Sequence, residues 1–124
     1  LVDKIETRSP QIVEEYRKKI TEKVEQLLGD TQIDENLLAT EIVMFSDKIC
    51  VDEEMVRLRT HVEHVKETLA AGENIGRKLD FLIQEMNREA NTTLSKANDS
   101  EVSEYGIDLK TEIEKIREQI QNIE

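Results

Sequence analysis

Apolar residues recur along this chain at alternating spacings of three and four, and each such run predicts a helix with one buried face. The first run occupies residues 1–28. Within it Ser9-Pro10 reads as a restart, with serine at the N-cap and proline at the first helical position, where its absent N–H is no loss. Val13, Tyr16, Ile20, Val24 and Leu27 then share one stripe, which Gly29 ends. Residues 29–33 form a connector, and a second helix starts at Asp34, carries Leu38, Ile42, Phe45 and Ile49, and ends near Cys50. Asp52, followed by Glu53 and Glu54, reads as a new N-cap with acids complementing the helix dipole. The alternative is a helix that continues through Val51 with a kink.

The third helix, residues 52–71, has the cleanest register: Met55, Leu58, Val62, Val65 and Leu69 make a heptad seam. A second stripe, Glu54, Arg57, His61, His64 and Thr68, runs beside it at the same spacing. Gly72 closes this helix, and residues 73–76 lead into a fourth over 76–96. There Leu79, Leu82, Ile83, Met86, Ala90 and Leu94 fall on one apolar arc. The opposite arc carries Arg77, Asp80, Gln84, Arg88, Asn91, Thr92 and Ser95 with Phe81 among them, while Glu85, Glu89, Lys78 and Lys96 lie along a flank. Asn, Thr and Ser are poor choices in a solvated helix interior unless something bonds their side chains. This face therefore reads either as a site or as a buried polar network.

A break at 97–100, where Asp99 or Ser100 can cap, precedes a last helix running from 101 to the end. Its seam is Leu109, Ile113, Ile116, Ile120 and Ile123. Gly106 weakens its first turns by roughly 1 kcal/mol relative to alanine. The whole pattern predicts an all-α chain of about five helices in an antiparallel, coiled-coil-like bundle. The isoleucine-rich final seam suits self-association into a homo-oligomer.

Composition agrees with long helices: charged residues make up 36% and aromatics only 3%, with one proline and four glycines in 124 residues. That length is one domain's worth. The net charge of −11 argues against a free-standing electrostatic binder of nucleic acid, so a polyanion would have to meet a local cluster of cations. Lone Cys50 excludes an internal disulfide and suits a reducing compartment. No run approaches the roughly 18 apolar residues of a membrane span. The chain opens on Leu1 with no signal-peptide pattern, and reads as a fragment whose upstream part is missing.

Gly-rich phosphate loops, H-E-x-x-H, C-x-x-C and G-x-S-x-G are all absent from the sequence. What remains is helical carboxylates and a histidine. Glu85 and Glu89, spaced i,i+4, can share a divalent ion, Asp80 sits on the adjoining edge, and His61 tilts an oxygen-rich set from Mg²⁺ towards Mn²⁺. Such an ion can polarise a phosphodiester and generate hydroxide. Without metal, His61 can serve as general acid or base beside an arginine. The bland reading of the Glu/Arg/His stripe is a rim of ion pairs beside a heptad seam, and His64 reads as a surface residue.

GRKLDFLIQEMNREANTTLSK, the following Asn98-Asp99, VDEEMVRLRTHVEHVKETL and the ending LKTEIEKIREQIQNIE resemble the C-terminal domain of the YicC/YloC-like bacterial endoribonucleases. SPQIVEEYRKKITEKVEQLL fits that family's helical lead-in, so the likeness covers essentially the whole chain. It implies a single helical C-terminal domain over 1–124, a missing N-terminal domain of comparable size, a bacterial cytoplasmic setting, oligomeric assembly and metal-dependent cleavage of RNA. Residue by residue it points to Glu53, Glu54, Arg57 and His61, and to Arg77, Asp80, Phe81, Gln84, Glu85, Asn87, Arg88, Glu89, Asn91, Thr92, Ser95 and Lys96. Tyr105-Gly106-Ile107 departs from it, where the family usually has a smoother apolar run.

Two functions follow as expectations. In the first, an endoribonuclease, Glu54, His61, Glu85 and Glu89 form the catalytic centre, and Asp80, Glu85, Glu89 and His61 hold Mg²⁺ or Mn²⁺. Arg57, Arg77, Lys78, Arg88, Asn91 and Lys96 meet RNA, chiefly its phosphates, and Phe81 stacks on an unpaired base. In the second, the polar face is an inter-subunit network in a non-catalytic oligomerisation or interaction module of a stress-related bacterial protein.

Overall fold

A computed structural model describes residues 1–28, 35–72 and 75–123, and every element among them is a helix. The elements are α1 (Val2–Leu28), α2 (Glu35–Ile49), α3 (Asp52–Ala71), α4 (Ile75–Lys96) and α5 (Ser100–Ile123). The expected connector over 29–33, the helix start at Asp34, residues 73–74 and the side chain of Ile123 lie outside the described residues.

α4 is the central element because both its apolar arc and part of its flank are covered, one side by α3 and the other by α5. Leu79, Leu82, Ile83, Met86 and Ala90 are buried, as the spacing predicts, and Leu94 is half-buried. They meet Met55, Leu58 and Val65 of α3 and Val102, Leu109, Ile113 and Ile120 of α5 in one continuous core. The isoleucine seam of α5 is thus largely satisfied inside this chain. Gly72 ends α3 in the left-handed conformation at φ 74°, its N–H donating to the Thr68 carbonyl.

Two helix starts differ from expectation. Ser9-Pro10 is no restart: α1 runs unbroken with Pro10 inside it. Ile5 and Ile12, on either side, are buried in the same core, which holds both halves to one axis. The Ser9 hydroxyl donates to the Ile5 carbonyl at 2.8 Å, and the acceptor that Pro10 cannot serve belongs to exposed Glu6, within reach of water. At α3 the cap is Val51, without a side-chain bond, and Asp52 is already helical. Val51 is buried at 2% exposure, so packing fixes this corner in place of a polar cap.

Asp99 does cap α5, accepting from the Val102 N–H at 3.2 Å. Arg8 clamps the same carboxylate through two nitrogens at 2.8 and 3.1 Å, joining α1 to the α4–α5 corner. Arg59 of α3 similarly binds Asp3 and Glu6 of α1. Farther along α1, Tyr16 stacks on Phe45 of α2 and donates to Glu41.

Candidate functional site

α3 and α4 lie antiparallel, so the polar stripe beside the α3 seam faces the Glu85–Glu89 flank of α4 turn by turn. At one end Lys96, in the last turn of α4, donates to Glu54 Oε1 at 2.7 Å and to the Cys50 carbonyl at 3.1 Å. Glu54 stands in the first turn of α3 and Lys96 in the last turn of α4, each favoured by its helix dipole. The hydrogen bond to Glu54 holds the Lys96 ammonium above its ordinary value, against the desolvation that lowers it. In the next layer Arg57 Nε donates to Glu89 Oε1 at 2.8 Å, and its other nitrogens lie 3.5 Å from Glu53 and 3.8 Å from Glu54. Its pKa is raised, chiefly by the bond to Glu89.

One turn further His61, Glu85 and Glu89 converge, with ligand-type atoms all within 4.8 Å of one another. Glu89 is 4% exposed, and its Oε2 has no hydrogen-bond partner among the described residues; neither has either ring nitrogen of His61, nor Glu54 Oε2. A buried polar atom left unpaired costs about 1–3 kcal/mol. Two carboxylate charges this close also repel, relieved only in part by Arg57. A divalent cation would reverse that sign and occupy the unpaired atoms. One imidazole and two carboxylates form a donor set suited to Mn²⁺ or a similar ion, so the residues fit such a group.

The remaining expected site residues divide by position. Asp80 does not belong to the cluster: it is exposed and precedes Glu85 by five residues, about 140° round the helix. Asn91 is also exposed, about 200° from Glu89. Arg57 and Lys96, expected to meet phosphates, are engaged with carboxylates of this chain. Glu54 stands one ion pair back from the three converging groups, linked to them through Arg57. Arg88 is exposed at the rim, 3.8 Å from Glu85.

Arg77, Lys78 and Phe81 meet instead in an open cleft of about 870 Å³, where His64, Glu67 and Thr68 of α3 face Gly76 and Leu82 of α4. His64 is on the surface, as expected, yet it lines this cleft. Glu67 was not anticipated; its place one turn beyond His64, beside the polar stripe, is the only signal that the sequence offers.

Comparison with known proteins gives these positions a context. The sequence profile of the family described as endoribonuclease YicC-like, C-terminal, matches residues 5–124. The chain is 48% identical over 124 residues to a probable endoribonuclease YicC of Clostridioides difficile (strain 630), covering 99% of this chain and 42% of that protein. It is 35% identical over 122 residues to a probable endoribonuclease YicC of Haemophilus influenzae, covering 98% of this chain and 42% of that one. The chain thus spans about two fifths of the length of these curated relatives. A match that runs from Ile5 to the last residue leaves one conclusion: the chain belongs to the endoribonuclease YicC-like C-terminal family.

Proposed function

We propose that this domain takes part in cleaving RNA phosphodiester bonds with one divalent cation held by His61, Glu85 and Glu89. The observation that carries the reading is the convergence of these three side chains around unpaired, buried donor atoms. The names of the relatives, probable endoribonucleases, supply the substrate class. When bound, the cation supplies Lewis acidity and a water that ionises near neutral pH.

The chain's own residues do the rest. Arg57 grips Oε1 of Glu89, which leaves the unpaired Oε2 as the oxygen that would hold the cation, and Lys96 engages Glu54 apart from it. Holding the cation would take the one lone-pair nitrogen of the neutral His61 ring, so the other nitrogen keeps its N–H as a donor and the proton of the attacking water passes to solvent. Exposed Arg88 can pair with a non-bridging phosphate oxygen at the rim. The water oxygen bonds to phosphorus as one ester P–O bond breaks, leaving a phosphate on one end and a hydroxyl on the other. With 28 acids against 17 bases, this domain relies on cations elsewhere in the full protein for most of the attraction to RNA.

In the full-length protein, His61→Ala and Glu85→Ala should give folded variants that no longer cut labelled RNA. A second reading, assembly without catalysis, is favoured by Val43 and Met44 of α2, which are 58% and 62% exposed despite their apolar side chains. Variants that cut at the normal rate but dissociate or melt early would establish it and remove the first.

A further inference from the structure

The cleft between the C-terminal half of α3 and the start of α4 has a polarity of its own. Its α4 wall presents Arg77 and Lys78, which form no ion pair with any described residue, one turn before Phe81. That ring is 61% exposed, on a helix whose other large apolar side chains are buried or half-buried. The α3 wall presents Glu67, the one carboxylate among the lining residues, beside Thr68 and His64. Phosphate is therefore attracted to the α4 wall and repelled from the α3 wall. A flat π-surface beside two cations that are unpaired among the described residues suits a nucleobase with its phosphate more than an apolar peptide.

The cleft lies beside the three converging groups along the α3–α4 pair. His64 follows His61 by three residues and Phe81 precedes Glu85 by four, so it opens about 5–6 Å, one helical turn, farther along the two helices. We infer that the cleft is a subsite for one unpaired nucleotide beside the scissile phosphate. Its base stacks on Phe81, its own phosphate meets Arg77 and Lys78, and an exocyclic amine on its edge donates to Glu67. The inference rests on the reading of the neighbouring groups as the cleavage centre. On this reading cutting falls in unpaired segments, since a base held in a duplex cannot offer its face to Phe81.

The test uses full-length protein and a short oligoribonucleotide in which 2-aminopurine, a fluorescent base carrying an amine, replaces each position in turn. With metal chelated, so that no cleavage intervenes, 2-aminopurine should be quenched at one position by the wild type and by Phe81→Tyr, and not by Phe81→Ala. Pairing the strand into a duplex should abolish the quench. With Mn²⁺ restored, an abasic nucleotide at that position should lower kcat/KM about 10- to 100-fold for the wild type. Phe81→Ala should be slow by a similar factor on the intact strand and lose nothing more to the abasic site. Phe81 is exposed, so this variant should keep the wild-type melt.

Quenching at no single position, quenching unchanged in Phe81→Ala, or an abasic penalty indifferent to residue 81 would each overturn the subsite. Quenching that depends on Phe81, without metal-restored cutting, would sustain the subsite and sink the cleavage centre instead.

Discussion

Glu89→Gln separates a metal ligand from a structural tie, because the two roles predict opposite balances of stability and affinity. Glutamine keeps the shape of the side chain and an oxygen to accept from Arg57 Nε, now 2.8 Å from Glu89 Oε1. It loses the charge. A hydrogen bond to a charged group contributes about 1.5–3 kcal/mol and a neutral one about 0.5–1.5, so the exchange costs about 1 kcal/mol. Relief of the repulsion between Glu85 and Glu89 offsets part of that, and the metal-free variant should lie within about 1 kcal/mol of the wild type. Metal changes the comparison. Mn²⁺ at a hundred times its dissociation constant stabilises the native state by about 2.7 kcal/mol. For a chain of this size that raises Tm by roughly 10 °C. Differential scanning calorimetry with and without Mn²⁺ should show this rise for the wild type and almost none for Glu89→Gln. An equal rise in both proteins would refute the ligand role. A metal-free loss above about 3 kcal/mol, the cost of breaking a buried ion pair, would make Glu89 a structural tie instead.

Two further predictions concern the frame that holds the site. At Gly106 an added Cβ would lie 2.6 Å from Leu94 Cδ2 and 2.9 Å from its Cγ, so Gly106→Ala should destabilise by about 1 kcal/mol despite a helix-propensity gain of about the same size. In a Leu94→Ala background urea melts should show the sign reversed, and stabilisation in both backgrounds would contradict the close crossing. Asp99 titrates below its ordinary 3.8, first because Arg8 hydrogen-bonds its carboxylate. A depressed value stabilises the fold above pH 3.8, and the contribution is lost as pH falls through the folded-state value. Asp99→Asn should therefore melt below the wild type at pH 7 and converge with it in acid; a gap independent of pH would exclude the charge pair as its cause.

The apolar arc of α4 and the seams of α3 and α5 were legible because a helix repeats its buried face at fixed spacing, and Leu79, Met86, Leu58 and Ile113 are buried accordingly. Ser9-Pro10 misled because local capping preference ignores the core on both sides of it, which holds Ile5 and Ile12 in line. The candidate site was legible only within single helices. The i,i+4 pair Glu85 and Glu89 could be seen, and so could His61, since one helix repeat governs each. Which edge of α4 faces α3 is a tertiary fact, and it separates Asp80 from the cluster and brings Glu89 to Arg57. The engagement of Lys96 with Glu54 likewise depends on an antiparallel pairing 42 residues apart in sequence.

The central claim is that His61, Glu85 and Glu89 hold a divalent ion. Crystals of the domain soaked in Mn²⁺ test it most directly through anomalous scattering. The expected result is one peak per chain, roughly 2.0–2.3 Å from a His61 nitrogen and from oxygens of Glu85 and Glu89. No peak there at saturating Mn²⁺, or one only among exposed acids such as Asp80, would contradict it.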